Sequence, residues 1–460
     1  MGNKKTKTEH SFNKKGDQSN QNKKFSPLTG HSVYVGLIGL FVLILVQYFT
    51  YKNMNVSHAQ FLVRQFYNII IVGLVMGACE IFFWVKSKDY QYFNVFDLKN
   101  NDMKVFFSNW AKESLGVLFF LSLTYFFYRM MPTFKFDKPE EFYGSFFFFI
   151  NGLVYIFPAF MVVYTFFTLL FHHDEDNPTP YYSSMSSIFV YFYHQLLTEE
   201  SFTFPKKDLI NLRSIIVKFF FIPTMFVFFI SQSKSFVMNL SFLGNISQNG
   251  YHVQNLAQFN LDFLNVCQSF LFYTDVGVGL MGYLFACRWF KNTNLSIEPT
   301  MLGWVVTLLC YPPFRELYGK FFNTPSDKAF LQFETSWIVL IFIFFALSSI
   351  VIYSLSTVYF GIRFSNLTYR GVIDKGPYSL VRHPAYASKN ISWWLVMFPY
   401  ALFSFLGGQY QLAIFQCIGL MMISLLYYFR AITEENHLKE FEDYQSYMEK
   451  VRYRFIPYVI

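Results

Sequence analysis

GPYSLVRHPAY (Gly376 to Tyr386) and RAITEENHL (Arg430 to Leu438) flank two apolar runs, Ile391 to Leu406 and Leu412 to Phe429, joined at Gly407 and Gly408. With its flanking residues each run approaches the roughly 20 residues that a hydrocarbon crossing needs, and the glycine pair supplies a reversal. An out-and-back membrane hairpin returns the second polar block to the side of the bilayer that the first one left. The spacing therefore predicts two polar clusters facing each other at one membrane surface.

Prolines decide the form of the first block. Each disfavours the helical region for the residue before it and lacks a backbone donor, so Gly376 to Pro384 reads as an ordered loop. Tyr378, His383 and Tyr386 can stack or hydrogen-bond there. Arg363, Arg370, Lys375, Arg382 and Lys389 suit anionic headgroups equally well, so a plain basic connector is a second reading. In the other block Arg430 and Glu434 share a helical face, as do Glu435 and Lys439. Such pairs are either surface ion pairs worth about 0.3 to 0.5 kcal/mol or part of a site. Arg430 directly follows the apolar run, at the depth where a guanidinium meets the carboxylate of a lipid-borne molecule.

Taken together, G-x-Y-x-x-x-R-H-P-x-Y, R-x-x-x-E-E-x-x-L and Y-x-x-Y-x-x-x-V, in this order and across a hairpin, resemble the isoprenylcysteine carboxyl methyltransferase and phospholipid methyltransferase family of integral-membrane enzymes. The resemblance covers about a fifth of the chain, from Gly361 to the C-terminus. It implies S-adenosylmethionine as cofactor. By the same resemblance Arg370, Gly371, Val372, Ile373, Tyr378, His383, Pro384, Ala385 and Tyr386 line the cofactor pocket, with Glu434 and Glu435. Arg430 holds the acceptor group and, with Glu434, forms the catalytic pair. The ending VRYRFIPYVI is also similar to that of membrane sterol reductases, which use NADPH but lack the paired glutamates.

Composition supports the membrane reading. Of 460 residues 53% are hydrophobic, 22% aromatic and 14% charged, which places the chain among multi-pass membrane proteins. The net charge of +8 is concentrated in the first thirty residues, which hold seven lysines against Glu9 and Asp17; little supports a nucleic-acid partner. Cys79, Cys267, Cys287, Cys310 and Cys417 lie in or beside apolar segments without CxxC spacing and read as core residues, not metal ligands. The acidic and histidine run His172 to Asp176 reads as a solvated helix end.

The expected fold is all-α, with about ten transmembrane helices. A disordered basic tail (1–30) precedes an N-terminal transmembrane region of unknown role (31–260) and a methyltransferase-like domain (261–460), with a cofactor loop at 361–390 and a C-terminal helix at 430–457. Crossings are expected at Val33 to Thr50, Phe66 to Val85, Leu115 to Met131, Phe146 to Phe171, Ile215 to Ile230, Phe263 to Trp289, Thr300 to Tyr311 and Trp337 to Phe360, then the hairpin. A short interfacial helix is expected around Met185 to Leu197, and Ser231 to Asn260 reads as an outward polar segment. The lysine-rich tail sets the N-terminus in the cytoplasm, and an even count puts the C-terminus there too: the inner or plasma membrane in a bacterium, the endoplasmic reticulum in a eukaryote. That count rests on Thr300 to Tyr311 being a full crossing. Asp275, at mid-depth, needs a partner, a cavity or a proton; a helix-to-helix hydrogen bond and a substrate path both meet that need. Glu80, near a helix end, reads as structural.

Three functions follow as expectations: a methyltransferase acting on a lipophilic or lipidated acceptor within the membrane lipids, an NADPH-dependent enone reductase, and a transporter or scaffold with a degenerate enzyme-like end. The transporter reading draws on Asp275, Glu80 and the helix broken at Pro312. A carboxylate acceptor is already ionised and needs no base; an amine or thiol would need one, for which His383 and Glu434 are the local choices.

Overall fold

The computed structural model describes residues 28–52, 57–87, 103–130, 144–171, 194–195, 206–249, 256–286, 290, 292–319, 321 and 336–459. The helices are α1 (Ser32–Lys52), α2 (His58–Ser87), α3 (Met103–Met130), α4 (Gly144–Tyr155), α5 (Phe157–Phe171), α6 (Lys206–Asn249), α7 (Leu256–Leu284), α8 (Met301–Leu308), α9 (Glu316–Gly319), α10 (Ser336–Phe360), α11 (Pro384–Leu406), α12 (Tyr410–Leu438) and α13 (Glu442–Lys450). Among the described residues the only sheet is a two-residue antiparallel ladder, β1 (Ser296–Ile297) with β2 (Thr368–Tyr369). Five helices, α1, α2, α6, α10 and α12, are long and apolar enough to cross a membrane. The chain is a multi-pass membrane protein. Of the ten expected crossings, α3, α7 and α11 have the length but fall short of those five in composition.

Several boundaries differ from expectation. The crossing expected at Phe146 to Phe171 is interrupted at Ile156, just before Pro158, and forms α4 and α5. The segment expected to face outward as a polar stretch is helical as far as Asn249, because α6 runs for 44 residues through Pro223. Its polar residues are satisfied by neighbouring helices: Gln47 Nε2 donates to Ser233 Oγ (2.8 Å), and Asn239 Nδ2 to Ser269 Oγ (3.1 Å). α8 has eight residues, or about 12 Å, and cannot cross the bilayer; Thr300 caps its start by accepting from Gly303 N (3.1 Å). The count that placed both termini on one side fails with it. At the C-terminus the expected single helix breaks after Leu438 and resumes as α13 at Glu442. The basic tail up to its last three residues, the His172 to Asp176 run and nearly all of the Met185 to Leu197 segment lie outside the described residues.

One apolar core joins the two halves of the sequence. Leu43 of α1, Met76 of α2, Phe221 and Phe229 of α6, Tyr273 and Met281 of α7 and Val358 of α10 are all buried in it. At Gly36 an added Cβ would lie 1.9 Å from Val358 O, so α1 and α10 touch backbone to backbone and only glycine fits. A buried ion cluster seals the same junction: Arg363 Nη2 donates to Glu80 Oε1 (3.0 Å), Arg363 Nη1 donates to Ser32 Oγ (3.0 Å), and His31 Nε2 lies 3.1 Å from Glu80 Oε1. The N-terminal helices thus anchor the residues that follow α10. Arg363→Met leaves Glu80 buried without its guanidinium and is expected to destabilise the fold by about 3 to 5 kcal/mol. A Glu80→Leu/Arg363→Met pair recovers most of that loss, as read by thermal unfolding in detergent.

Candidate active site

The loop between α10 and α11 is held at three points. β2 pairs with β1, Ser296 opposite Tyr369. Gly376 has φ +61°, and its missing Cβ makes room for the Tyr359 ring, whose nearest carbon would otherwise be 2.3 Å away. The end of the loop is pinned by the chain terminus: Arg382 N and His383 N donate to Tyr453 O and Arg454 O, both at 2.9 Å. Pro384 then opens α11, where a missing donor carries no penalty.

Glu435 is the centre of this construction. Its carboxylate is fully buried and receives Arg382 Nε (2.8 Å), Arg454 Nε (3.0 Å) and Arg454 Nη2 (2.7 Å), with His383 Nε2 at 3.2 Å. The expected Glu435 and Lys439 pairing is not formed; Lys439 Nζ lies 3.5 Å from Asn436 Oδ1 instead. The guanidinium of Arg454 is held even more firmly protonated by its bond to Glu435.

Beside this clamp lies a more open group. The Tyr386 hydroxyl donates to Glu434 Oε2 (2.8 Å), and the Arg430 guanidinium carbon sits 4.7 Å from the Tyr386 ring centroid. Arg430 and Glu434 therefore both meet Tyr386 rather than each other. Arg430 Nη2 donates to Asn366 Oδ1 (2.8 Å), and Asn366 Nδ2 reaches the hydroxyls of Tyr283 (2.7 Å) and Tyr311 (2.9 Å). Arg430 is buried, and its Nε has no hydrogen-bond partner. The rings of His383, Tyr386 and Tyr427 stack nearly parallel, with centroids 5.4 and 6.0 Å apart. The Glu434 side chain is 42% exposed.

The hairpin brings His383, Pro384, Ala385 and Tyr386 to Arg430, Glu434 and Glu435. The other expected pocket residues lie in the walls that hold the loop. Arg370 is buried, donating from Nε to Asn294 Oδ1 (2.7 Å) and from Nη1 to Gly282 O (2.8 Å), which ties the loop to α7. Gly371 takes φ +102°. Val372 packs on the cluster of Tyr369, Leu438, Tyr444 and Tyr447. Ile373 lines a shallow surface crevice with Val33, Tyr359, Asp374 and Lys375, far too small for a cofactor. The carbonyl of Tyr378 accepts from Tyr447 Oη (2.7 Å), and burial raises the Tyr378 hydroxyl well above the usual phenol range. Asn366, Tyr311 and Arg454 are part of the site, and no spacing in the sequence marked them.

These observations define an integral-membrane protein with a compact polar site where a proline-kinked loop meets the end of a membrane hairpin. A DUF1295 domain, described as a protein family of unknown function, spans residues 360–451 and so contains the loop, the hairpin and the acidic helix end. No curated protein and no solved structure matches the chain.

Proposed function

We propose that the protein is a membrane methyltransferase that moves a methyl group from S-adenosylmethionine to a lipophilic acceptor entering laterally between helices. The observation that carries this reading is the convergence of His383 and Tyr386 with Arg430 and Glu434, which come from the two sequence blocks whose combination resembles that enzyme class. The chain's own residues fit the cofactor's chemistry. The parallel rings of His383, Tyr386 and Tyr427 offer a wall for a purine or a sulfonium. Glu434, half-exposed, offers carboxylate oxygen to hydroxyl or ammonium donors. Arg430 offers its buried Nε–H to the acceptor's polar group. Glu435, enclosed by Arg382, Arg454 and His383, acts as a positioning residue, so the cofactor contact expected of both glutamates falls to Glu434. S-adenosylmethionine, when bound, supplies a methyl already activated for transfer. What remains for the protein is alignment and the exclusion of water. The reading includes an N-terminus in the cytoplasm, which its lysine-rich tail favours.

Incubating membranes that contain the protein with radiolabelled S-adenosylmethionine is expected to label a lipid-soluble product, and Glu434→Gln is expected to lower incorporation by about tenfold or more. Equilibrium binding supplies the decisive control. NADPH binding without S-adenosylmethionine binding overturns the proposal in favour of a reductase.

A further inference from the structure

A buried polar chain one helical turn beyond the site has no part in the reading above. Along α11, Tyr386, Lys389 and Trp393 are spaced by three and four residues and so share one stripe. Arg430 covers the Tyr386 ring, and the guanidinium of Arg315 stands 5.6 Å from the centroid of Trp393. Lys389 thus lies between two guanidinium groups. Its Nζ donates to Tyr353 Oη (3.1 Å) and lies 4.7 Å from that ring's centroid. The Tyr353 hydroxyl donates onward to Asp275 Oδ2 (2.7 Å), and the Thr357 hydroxyl donates to Asp275 Oδ1. Asp275 is buried. The groups that face Lys389 are Asp275 from α7, Cys310 and Arg315 from the α8 to α9 segment and Arg430 from α12, with Tyr353 from α10 in direct contact; Tyr353 also faces Tyr311 and Tyr427.

We infer that Lys389, Tyr353 and Asp275 form a proton relay that takes the proton of a phenolic hydroxyl on the lipophilic acceptor, while Arg430 stabilises the oxygen as it becomes an anion. The site is primed when the proton of the Lys389 ammonium has passed through the Tyr353 hydroxyl to Asp275, leaving a neutral amine and a carboxylic acid. The acceptor's O–H bond then breaks, its electron pair stays on oxygen, and the proton forms a new N–H bond on Lys389. That electron pair is then available for the bond to carbon, and the proton gained is later released to water. The acceptor class follows from what such a relay can take: a carboxylate is already ionised at neutral pH and has no proton to give, whereas a phenolic hydroxyl keeps its proton and can yield it to an amine while Arg430 faces the oxygen left behind.

The inference rests on the methyl-transfer reading only for the fate of the oxygen, because ionisation of the acceptor needs no donor. The full-length protein in nanodiscs of neutral phospholipid, without S-adenosylmethionine, is titrated with para-dodecylphenol labelled with carbon-13 at the carbon that bears oxygen. The NMR shift of that carbon reports ionisation. Bound probe is expected to ionise about one pH unit lower than in empty nanodiscs, a roughly tenfold change in equilibrium. Tyr353→Phe and Lys389→Met are each expected to remove most of that change. If Lys389→Met does not fold, Tyr353→Phe decides alone, since it keeps the ring beneath the ammonium. An unshifted wild type, or a shift that survives both substitutions, overturns the relay. Methyl transfer to a fatty-acid carboxylate with no ionisation shift would sink the relay and leave the proposed function standing. A shift without any methyl transfer would do the reverse.

Discussion

Glu435→Gln is expected to unfold the end of the loop between α10 and α11 before it alters any chemistry. The carboxylate is fully buried, and four donor atoms from Arg382, His383 and Arg454 converge on it. An amide offers one oxygen in place of two and no charge, so Arg382, itself largely buried, is left as an uncompensated cation. Breaking a buried pair in this way costs about 3 to 5 kcal/mol. Because Arg382 N and His383 N also hold the backbone of the C-terminal segment, release of the clamp should free residues 451–459. Arg454→Ala removes a more exposed partner, with 21% of its side chain accessible, and is expected to cost only about 1 kcal/mol. Glu434→Gln, at a half-exposed position, should leave stability nearly unchanged while lowering activity. Thermal unfolding in detergent and limited proteolysis of the C-terminal segment report all three. If Glu435→Gln melts with the wild type, Glu435 does not hold the loop.

The sequence made the hairpin legible because its signals are local: two apolar runs, a glycine pair and prolines that forbid helix at the loop. It also placed Arg430, Glu434, His383 and Tyr386 near one another by returning the chain to the surface it had left. It could not reveal the partners of Glu435. Lys439 is the nearest cation at helical spacing, yet the carboxylate is held by Arg382 and Arg454, residues 53 and 19 positions away. Polar residues in α6 misled for a related reason, since Ser233 and Asn239 are satisfied by other helices and not by water. Thr300 to Tyr311 is short for a crossing, and only the parity of the count asks it to be one; α8's length of eight residues is set by Thr300 at one end and the Pro312 and Pro313 pair beyond the other. The contacts that tie the N-terminal helices to the rest were invisible: Gly36 against Val358 and Glu80 against Arg363 join residues some 300 positions apart, with no periodicity to announce them.

Arg430→Ala is expected to lower methyl incorporation by about a hundredfold while leaving equilibrium binding of S-adenosylmethionine within about twofold of the wild type. The guanidinium is fixed on one edge by Asn366 and on one face by Tyr386, and its Nε–H has no protein acceptor. Truncation to alanine removes the donor and the cation together. Arg430→Lys separates the two, because a lysine keeps the charge but neither stacks as a plane on Tyr386 nor holds Asn366 in the same fork. An intermediate loss, about tenfold, is the expected outcome if geometry and charge both contribute. Tyr386→Phe supplies the complementary test: it keeps the ring beneath Arg430 but breaks the hydrogen bond to Glu434, so it should weaken cofactor binding more than acceptor turnover. The opposite pattern, with Arg430→Ala abolishing cofactor binding and Tyr386→Phe sparing it, would assign Arg430 to the cofactor and leave the acceptor without its anchor. Full activity in Arg430→Ala would be more damaging still, because nothing else at the site then accounts for a buried guanidinium with an unmet donor.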